Sequence, residues 1–220
     1  MDSARPDTER TQRRTTTGRE SGLSLIELMV AMSIFAIFVV ILLTAVVAIS
    51  RSASRTELVG QSTNSTLVVF GAFDRQVRYA DAINFPGVGA LGDRYVEFRV
   101  PAASTTGGLV AICYQWRFSP SNSRLESRQW NEGNTSTMTA WSTKLTDVAD
   151  DGVATHPFQL VPANISDAPR QQLVLVLNPG TSAQTAGASM STTFIARNSS
   201  SASQSNNPVT PVCAFSGYRP

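Results

Sequence analysis

The distribution of apolar and polar positions divides the chain into three parts. Residues 1–22 are hydrophilic, with five arginines, four acidic residues and no apolar run. The segment Leu28–Ile49 follows, with 22 residues that include no charge, glycine or proline. A helix of that length measures roughly 33 Å, enough to cross a hydrocarbon core of about 30 Å. The pattern predicts a leader over 1–22, a membrane-spanning helix over 23–50 and an exported domain over 51–220.

Arginines on either side of the apolar segment predict its orientation. Five arginines precede it, among them Arg10, Arg13, Arg14 and Arg19, whereas Arg51 and Arg55 are the two that follow it closely. Positive residues favour the cytoplasmic side of a membrane. We therefore expect a single-pass protein of the cytoplasmic membrane whose N-terminus is cytoplasmic and whose C-terminal domain lies outside.

Beyond the apolar segment the chain stays compatible with a helix. Val69, Phe73, Val77 and Ala80 recur at helical spacing and form one apolar stripe. This pattern predicts that the helix continues over 51–83, with its stripe packed on a core. Residues 84–93 contain Pro86 and three glycines and should end it.

Strand patterns dominate the rest of the chain. Candidate strands are 95–100, 109–118, 124–130, 156–161, 173–177 and 192–197, and residues 119–123 read as a hairpin turn. Residues 198–211 are low in complexity and are expected to be mobile. A helix followed by such strands predicts an α+β fold, with the amphipathic half of the helix covering an antiparallel sheet within 94–200.

An acidic residue at the start of the apolar segment is the most informative single feature. Glu27 is costly in a membrane unless its charge is paired, so such a residue indicates function. The sequence GLSLIELMV, from Gly22 to Val30, resembles the processing signal of type IV prepilins and type II secretion pseudopilins. The resemblance covers the junction and the whole apolar helix.

The resemblance implies cleavage by a prepilin peptidase between Gly22 and Leu23, N-methylation of Leu23, and a role for Glu27 in subunit assembly. Charge pairing explains the spacing, because cleavage leaves an α-amino group on Leu23 one helical turn before the Glu27 carboxylate. Between subunits, Glu27 of an incoming chain would neutralise the Leu23 amine of a chain already in a filament.

The expected partners are other pilin or pseudopilin subunits, contacted through the N-terminal helix. Leu23 stands where family members most often have phenylalanine, and the span lacks the glycine or proline common in major pilins. An unbroken span favours a minor pilin or a pseudopilin. The later strands resemble the globular domain of J-type pseudopilins, in the passages FDRQVRYADAI, RLESRQW and FIARN. Pilus, competence and type II secretion filaments all remain open.

The two cysteines predict a disulfide rather than a metal site. Cys113 and Cys213 are too few for a zinc or iron–sulfur set. In an oxidising exterior they would bond and tie the tail to a central strand. The alternative is two separate thiols, with Cys113 a small buried apolar residue.

Charge and catalytic motifs point away from nucleic acids and enzymes. Lysine and arginine number 18 against 16 acidic residues, so no basic excess favours nucleic-acid binding. His156 is the single histidine and lies in no recognisable catalytic motif. Asp147, Asp150 and Asp151 do not follow the spacing of an EF-hand loop. We expect no cofactor, no metal and no enzymatic activity.

Two alternatives stay open at this stage. One is a signal-anchored or secreted extracellular binding domain that never polymerises, with an intact N-terminus or cleavage after Ala48. The other is an exported hydrolase that depends on His156.

Overall fold

A computed structural model describes residues 24–182 and 189–220. The chain divides into two compact units, with the boundary between Ser50 and Arg51. Helix α1, Leu25–Arg78, contributes residues to both units. In the second unit the helix carries the predicted apolar stripe, since Val69, Phe73 and Val77 are buried there.

The strands of the second unit form two antiparallel sheets. Their bounds are β1 Ala82–Ile83, β2 Gly87–Val88, β3 Arg94–Val100, β4 Ile112–Ser119, β5 Arg124–Asn131, β6 Ser142–Thr146, β7 Phe158–Val161, β8 Gln172–Leu177 and β9 Met190–Ile195. The larger sheet has the order β1-β3-β4-β5-β6, with β2 also on β3, and the smaller has the order β7-β8-β9. Long helix first and antiparallel strands later is the predicted α+β architecture, which is confirmed.

Phe73 of α1 lies at the centre of the core. Its ring packs edge-on against Trp116 at 4.8 Å between centroids, and against Phe98 at 5.9 Å. Phe158 and Phe194 approach the same ring from the smaller sheet, at 6.3 and 5.2 Å. Both sheets therefore share one hydrophobic core with the helix. Such aromatic contacts add to the stabilisation from apolar burial.

The helix ends at Arg78, so the prediction that it continues to residue 83 was wrong. Its last turn carries Arg75 and Arg78, which suit the negative end of the helix dipole. The Arg78 carbonyl accepts a hydrogen bond from Arg197 N at 3.1 Å, and Asp81 N donates to Arg99 O at 3.0 Å. The C-terminal end of the helix is thus bonded to the segment after β9, and Asp81 leads into β1, which pairs with β3 of the larger sheet.

The predicted strands are present with shifted bounds, and the turn between β4 and β5 is the predicted hairpin. Ser123 closes that turn in the left-handed region, at φ 50°. Strands β1, β2 and β6 were missed. The first two have only two residues each, and β6 buries only Leu145, so none of the three shows an alternating apolar pattern.

Residues 198–211, which are expected to be mobile, are mostly exposed but make specific contacts with the rest of the fold. Ser199 and Ser205 are buried. Ser199 Oγ accepts from Gln171 N at 2.8 Å, and Asn206 binds both main-chain groups of Ala163 through its amide. Short polar side chains here replace the hydrogen bonds that regular secondary structure would supply.

Candidate functional site

The first unit presents an apolar helical surface. The large apolar side chains between Leu25 and Ile49 are exposed, except that of Val39, which is partly exposed. The most apolar window of α1 has a mean hydropathy of 3.0, and none of it is buried. By length and composition this helix is able to cross a membrane.

Polar side chains inside the apolar segment are satisfied by the helix itself. Ser33 Oγ donates to Met29 O at 2.8 Å, and Thr44 Oγ1 donates to Ile41 O at 2.8 Å. A hydroxyl bonded to its own helix exposes no unmet hydrogen bond to lipid. The segment therefore presents an apolar surface despite these two residues.

Glu27 lies in the first turn of α1, three residues after Ser24. The first helical hydrogen bond near it runs from Leu28 N to Ser24 O at 3.1 Å. A carboxylate in this position is favoured by the positive end of the helix dipole. Among the residues that the structure describes, no cation pairs with the exposed Glu27 side chain. Gly22 and Leu23, the predicted cleavage and methylation residues, lie outside the described residues.

Comparison with known families bears on this N-terminal segment. Residues 17–43 match the family model described as the prokaryotic N-terminal methylation motif. The match includes Gly22, Leu23 and Glu27. A search of curated proteins and a search of solved structures each found no match. The chain therefore carries a prepilin-type methylation motif, as the resemblance predicted, joined to one apolar helix that supports membrane anchoring.

The predicted disulfide is present between Cys113 of β4 and Cys213. It joins residues 100 positions apart, and the structure contains no free cysteine among the residues it describes. The bond attaches the C-terminal segment to the face of the larger sheet opposite α1. Closing a loop of this size stabilises the fold by about 4 to 5 kcal/mol in the chain-entropy model.

A polar row crosses the outer face of the larger sheet beside the disulfide. Glu97, Gln115 and Arg128 are directly opposite one another on β3, β4 and β5. Gln115 Nε2 donates to Glu97 Oε1 at 2.8 Å, and Arg128 Nε donates to Gln115 Oε1 at 2.7 Å. Gln115 Nε2 and Arg128 Nη2 also donate to the Tyr218 carbonyl, at 2.7 and 3.0 Å. The row thus binds the sheet to the C-terminal segment.

Arg219 completes this network with a buried ion pair. Its Nη2 lies 2.5 Å from Glu97 Oε2, and the Glu97 side chain is 0% exposed. Asn84 Nδ2 donates to the same carboxylate at 3.2 Å, and its Oδ1 accepts from Val212 N at 2.8 Å. A buried carboxylate needs such partners, because desolvation penalises an isolated charge. We call residues 212–220 the C-terminal latch.

Sequence reasoning found the disulfide of the latch but missed its ion pair. The alternation in β3 indicated that Glu97 faces away from the helix, yet nothing in the pattern marked Arg219 as its partner. The two residues are 122 positions apart. The cysteine pair was the one signal that the tail returns to the sheet.

Trp141 forms a second cluster on the same outer face. The guanidinium carbons of Arg117 and Arg128 each lie 4.3 Å from its ring centroid. Arg117 also donates to Glu126 Oε2 at 2.6 Å, which partly neutralises its charge. Burial lowers the pKa of Arg128, and the nearby Arg117 charge acts in the same direction. Both guanidinium groups therefore make cation–π contacts with one aromatic ring.

The residues considered for catalysis or metal binding lie in the loop between β6 and β7, and each has a partner. His156 Nδ1 lies 2.5 Å from Asp151 Oδ2. Asp150 is bound by Arg94, and Asp147 Oδ1 accepts from Thr181 N at 2.9 Å. Within the described ranges, no hydroxyl or thiol side chain is hydrogen-bonded to His156. No three side chains of the types His, Cys, Asp and Glu lie close enough together there to hold a metal ion.

The Arg94–Asp150 pair makes a testable contribution to acid stability. Arg94 donates to both carboxylate oxygens, at 2.8 and 3.0 Å, and this pairing holds the pKa of Asp150 below its ordinary value. Because the pKa of Asp150 is lower in the folded protein than in the unfolded chain, the ionised carboxylate stabilises the fold. This stabilisation is fully present above the unfolded-state pKa of about 4, and it is lost as the pH falls through the folded-state pKa. We expect Asp150→Asn to lower the free energy of unfolding by at most about 1 kcal/mol at pH 7.

Urea unfolding followed by tryptophan fluorescence at about pH 7 and about pH 3 measures this difference. The difference in free energy of unfolding between wild type and Asp150→Asn should be smaller at the lower pH. Asp167→Asn changes another exposed loop carboxylate that has no arginine partner among the described residues, and is the control. A difference that is equal at both pH values contradicts the assignment.

Proposed function

We propose that this protein is a prepilin-like minor subunit that is processed by a prepilin peptidase and assembled into a filament. The matched methylation motif over residues 17–43 is the observation that carries the proposal. Cleavage between Gly22 and Leu23 removes the leader, and methylation of the new amino group follows on Leu23. The filament is of the pilus, competence or type II secretion type.

The physical basis is a charge whose partner, the Leu23 amino group, is created by cleavage and is supplied between chains on assembly. Glu27 stands directly before the uncharged apolar segment Leu28–Ile49, and no described residue neutralises it. A carboxylate at this depth is costly when unpaired. The Leu23 amine of a neighbouring subunit supplies the opposite charge and fixes the register between two packed helices. The remaining apolar surface of residues 23–50 supplies the packing between subunits.

The proposed location follows from the same segment. The chain is first anchored in the cytoplasmic membrane by this single helix, with residues 51–220 outside. The disulfide between Cys113 and Cys213 is consistent with an oxidising exterior. Its partners are then the peptidase and other pilin or pseudopilin subunits, which bind through the N-terminal helix. In this role the protein is structural and is not an enzyme.

The intact mass and the N-terminal peptide of the protein from its native membrane test the proposal. We expect a chain that begins at Leu23, with one added methyl group. A chain that begins at Met1 or at Ile49 would instead support the signal-anchored or secreted domain that does not polymerise. Either of those N-termini overturns the proposed processing.

Replacing Glu27 with glutamine separates assembly from processing. The substitution removes the charge and keeps the side-chain shape, so membrane insertion and cleavage should remain. Incorporation into filaments should fall about tenfold or more, because the Leu23 amine loses its counter-charge in the membrane. Sheared filament fractions and membrane fractions, compared by immunoblot, give the ratio.

Glu57→Gln is the matched control, since Glu57 is an exposed glutamate later in the same helix. It should assemble at the wild-type level. Wild-type incorporation of Glu27→Gln would remove the pairing role while leaving the processing proposal intact.

A further inference from the structure

A cleft of about 460 Å³ lies between the edges of the two sheets in the second unit. Its lining consists of three runs of consecutive residues, 85–88, 154–156 and 158–160, together with Arg94. One wall contains β2, and the opposite wall contains β7. We call this space the β2–β7 cleft.

The walls of the cleft are strand edges rather than strand faces. Side chains of consecutive strand residues point to opposite faces of a sheet. Phe158, Gln159 and Leu160 are consecutive in β7, yet all three line the cleft. A cleft that is lined by residues from both faces of the strand must run along the edge of the strand, where the main chain is accessible. Within the part of the chain that the structure describes, β7 pairs only with β8.

The register of β7 shows which main-chain groups face the cleft. Val176 N donates to Pro157 O at 2.9 Å, so residue 157 occupies a hydrogen-bonded position opposite β8. In an antiparallel pair such positions alternate, which assigns Gln159 to the bonded set as well. The N–H and C=O groups of Phe158 and Leu160 therefore point away from β8, toward the free edge.

The opposite wall repeats this arrangement. Gly89 N donates to Asp93 O at 2.9 Å, in register with the pairing of Gly87 and Tyr95. The intervening residue, Val88, thus directs its N–H and C=O away from β3. Both walls offer main-chain donors and acceptors that a strand placed between them would bind.

Charges in the lining are compensated locally. Arg94 is held by both carboxylate oxygens of Asp150, and His156 is held by Asp151. Neither side chain is therefore free to pair with an ionic ligand. The other side chains of the cleft include apolar groups, among them Val88, which is 63% exposed. An uncharged occupant with apolar side chains matches this lining.

We propose that the β2–β7 cleft binds an extended, uncharged peptide segment, which adds as a strand to the free edge of β7. Main-chain hydrogen bonds to Phe158 and Leu160 provide its affinity, and contacts with Val88 select apolar side chains at alternate positions. Exposed strand edges readily accept such a strand. This inference goes beyond the proposed function and does not depend on N-terminal processing.

The probe is a labelled hexapeptide, acetyl-Thr-Val-Thr-Val-Thr-Ser-amide, titrated with the full-length chain in phospholipid nanodiscs. Fluorescence anisotropy should show saturable binding. Versions with glutamate or with lysine in place of both valines should bind at least about tenfold more weakly. Absence of saturable binding of the neutral peptide up to about 1 mM overturns the proposal, as does equal binding of all three peptides.

Hydrogen exchange at single-amide resolution locates the bound peptide. The amides of Phe158 and Leu160 should exchange faster than that of Gln159 in the free protein, and should slow when the peptide binds. Slowing confined to other segments places the peptide elsewhere and overturns the proposal.

A pair of valine substitutions tests the cleft directly. Val88→Glu places a charge in the lining and should weaken binding of the neutral peptide at least about tenfold. Val68→Glu is the matched control, because Val68 of α1 is 66% exposed and does not line the cleft. Unchanged binding in Val88→Glu contradicts the proposed site, and so does an equal loss in both variants.

Discussion

Replacing Gly22 with leucine is expected to leave the chain at its full length of 220 residues. Glycine has no Cβ, so it allows another backbone to approach closely. A leucine side chain next to the scissile bond would displace that bond in the peptidase site. A displacement of about 1 Å is enough to slow a reaction about a hundredfold. Pulse-chase labelling followed by intact mass measurement gives the fraction that loses residues 1–22.

Gly18→Leu is the matched control, since Gly18 lies in the same leader four residues before the junction. It should be cut at the wild-type rate. Without a free Leu23 amine, the Gly22→Leu chain should also be unmethylated and absent from filaments. Normal cleavage of Gly22→Leu would contradict the proposed junction, whereas equal loss in both variants would show only that the leader tolerates no change.

The membrane segment was predictable from sequence because its physics is local. Twenty-two consecutive residues without charge, glycine or proline meet the length that a bilayer requires, and no tertiary partner is needed to see it. Glu27 could be recognised for the same reason, because a single carboxylate beside an apolar membrane segment is energetically costly. The matched motif over residues 17–43 supports that interpretation.

Strands were predictable where burial alternates. In β8, Leu173, Leu175 and Leu177 are fully buried, and intervening residues are half-buried. Strand β1 has no such pattern, because its two residues are both buried and are held in place by the edge of β3. The early end of the helix has the same origin, since main-chain partners from distant segments outweigh local helix propensity after Arg78.

The C-terminal latch was only partly predictable, because its stability depends on pairing between distant residues. Cysteine chemistry makes the Cys113–Cys213 bond a natural expectation from two residues alone. The sequence contains seventeen arginines, and nothing in it indicates which carboxylate each of them pairs with. Glu97 and Arg219 come together only when β3 lies beneath the returning tail, which is a property of the tertiary fold.

Replacing Arg219 with methionine is expected to lower the free energy of unfolding by about 3 kcal/mol at neutral pH. Methionine keeps an unbranched apolar stem but removes the guanidinium. The Glu97 carboxylate, which is 0% exposed, then keeps only neutral amide donors from Asn84 and Gln115. Loss of one partner from a buried ion pair is costly because the remaining charge stays desolvated. Urea unfolding of the full chain in detergent, followed by tryptophan fluorescence, measures the change.

Two further variants establish whether the buried charge is the cause. Arg124→Met removes an exposed arginine that has no ion pair among the described residues, and should change stability by less than about 0.5 kcal/mol. Adding Glu97→Gln to Arg219→Met removes the unpaired charge and should restore most of the lost stability, because a neutral amide tolerates burial when it is hydrogen-bonded.

If Arg219→Met costs no more than Arg124→Met, the ion pair does not hold the latch. If the double variant is less stable than Arg219→Met, Glu97 stabilises the fold through its other contacts, and the Cys113–Cys213 bond remains the main attachment of the tail.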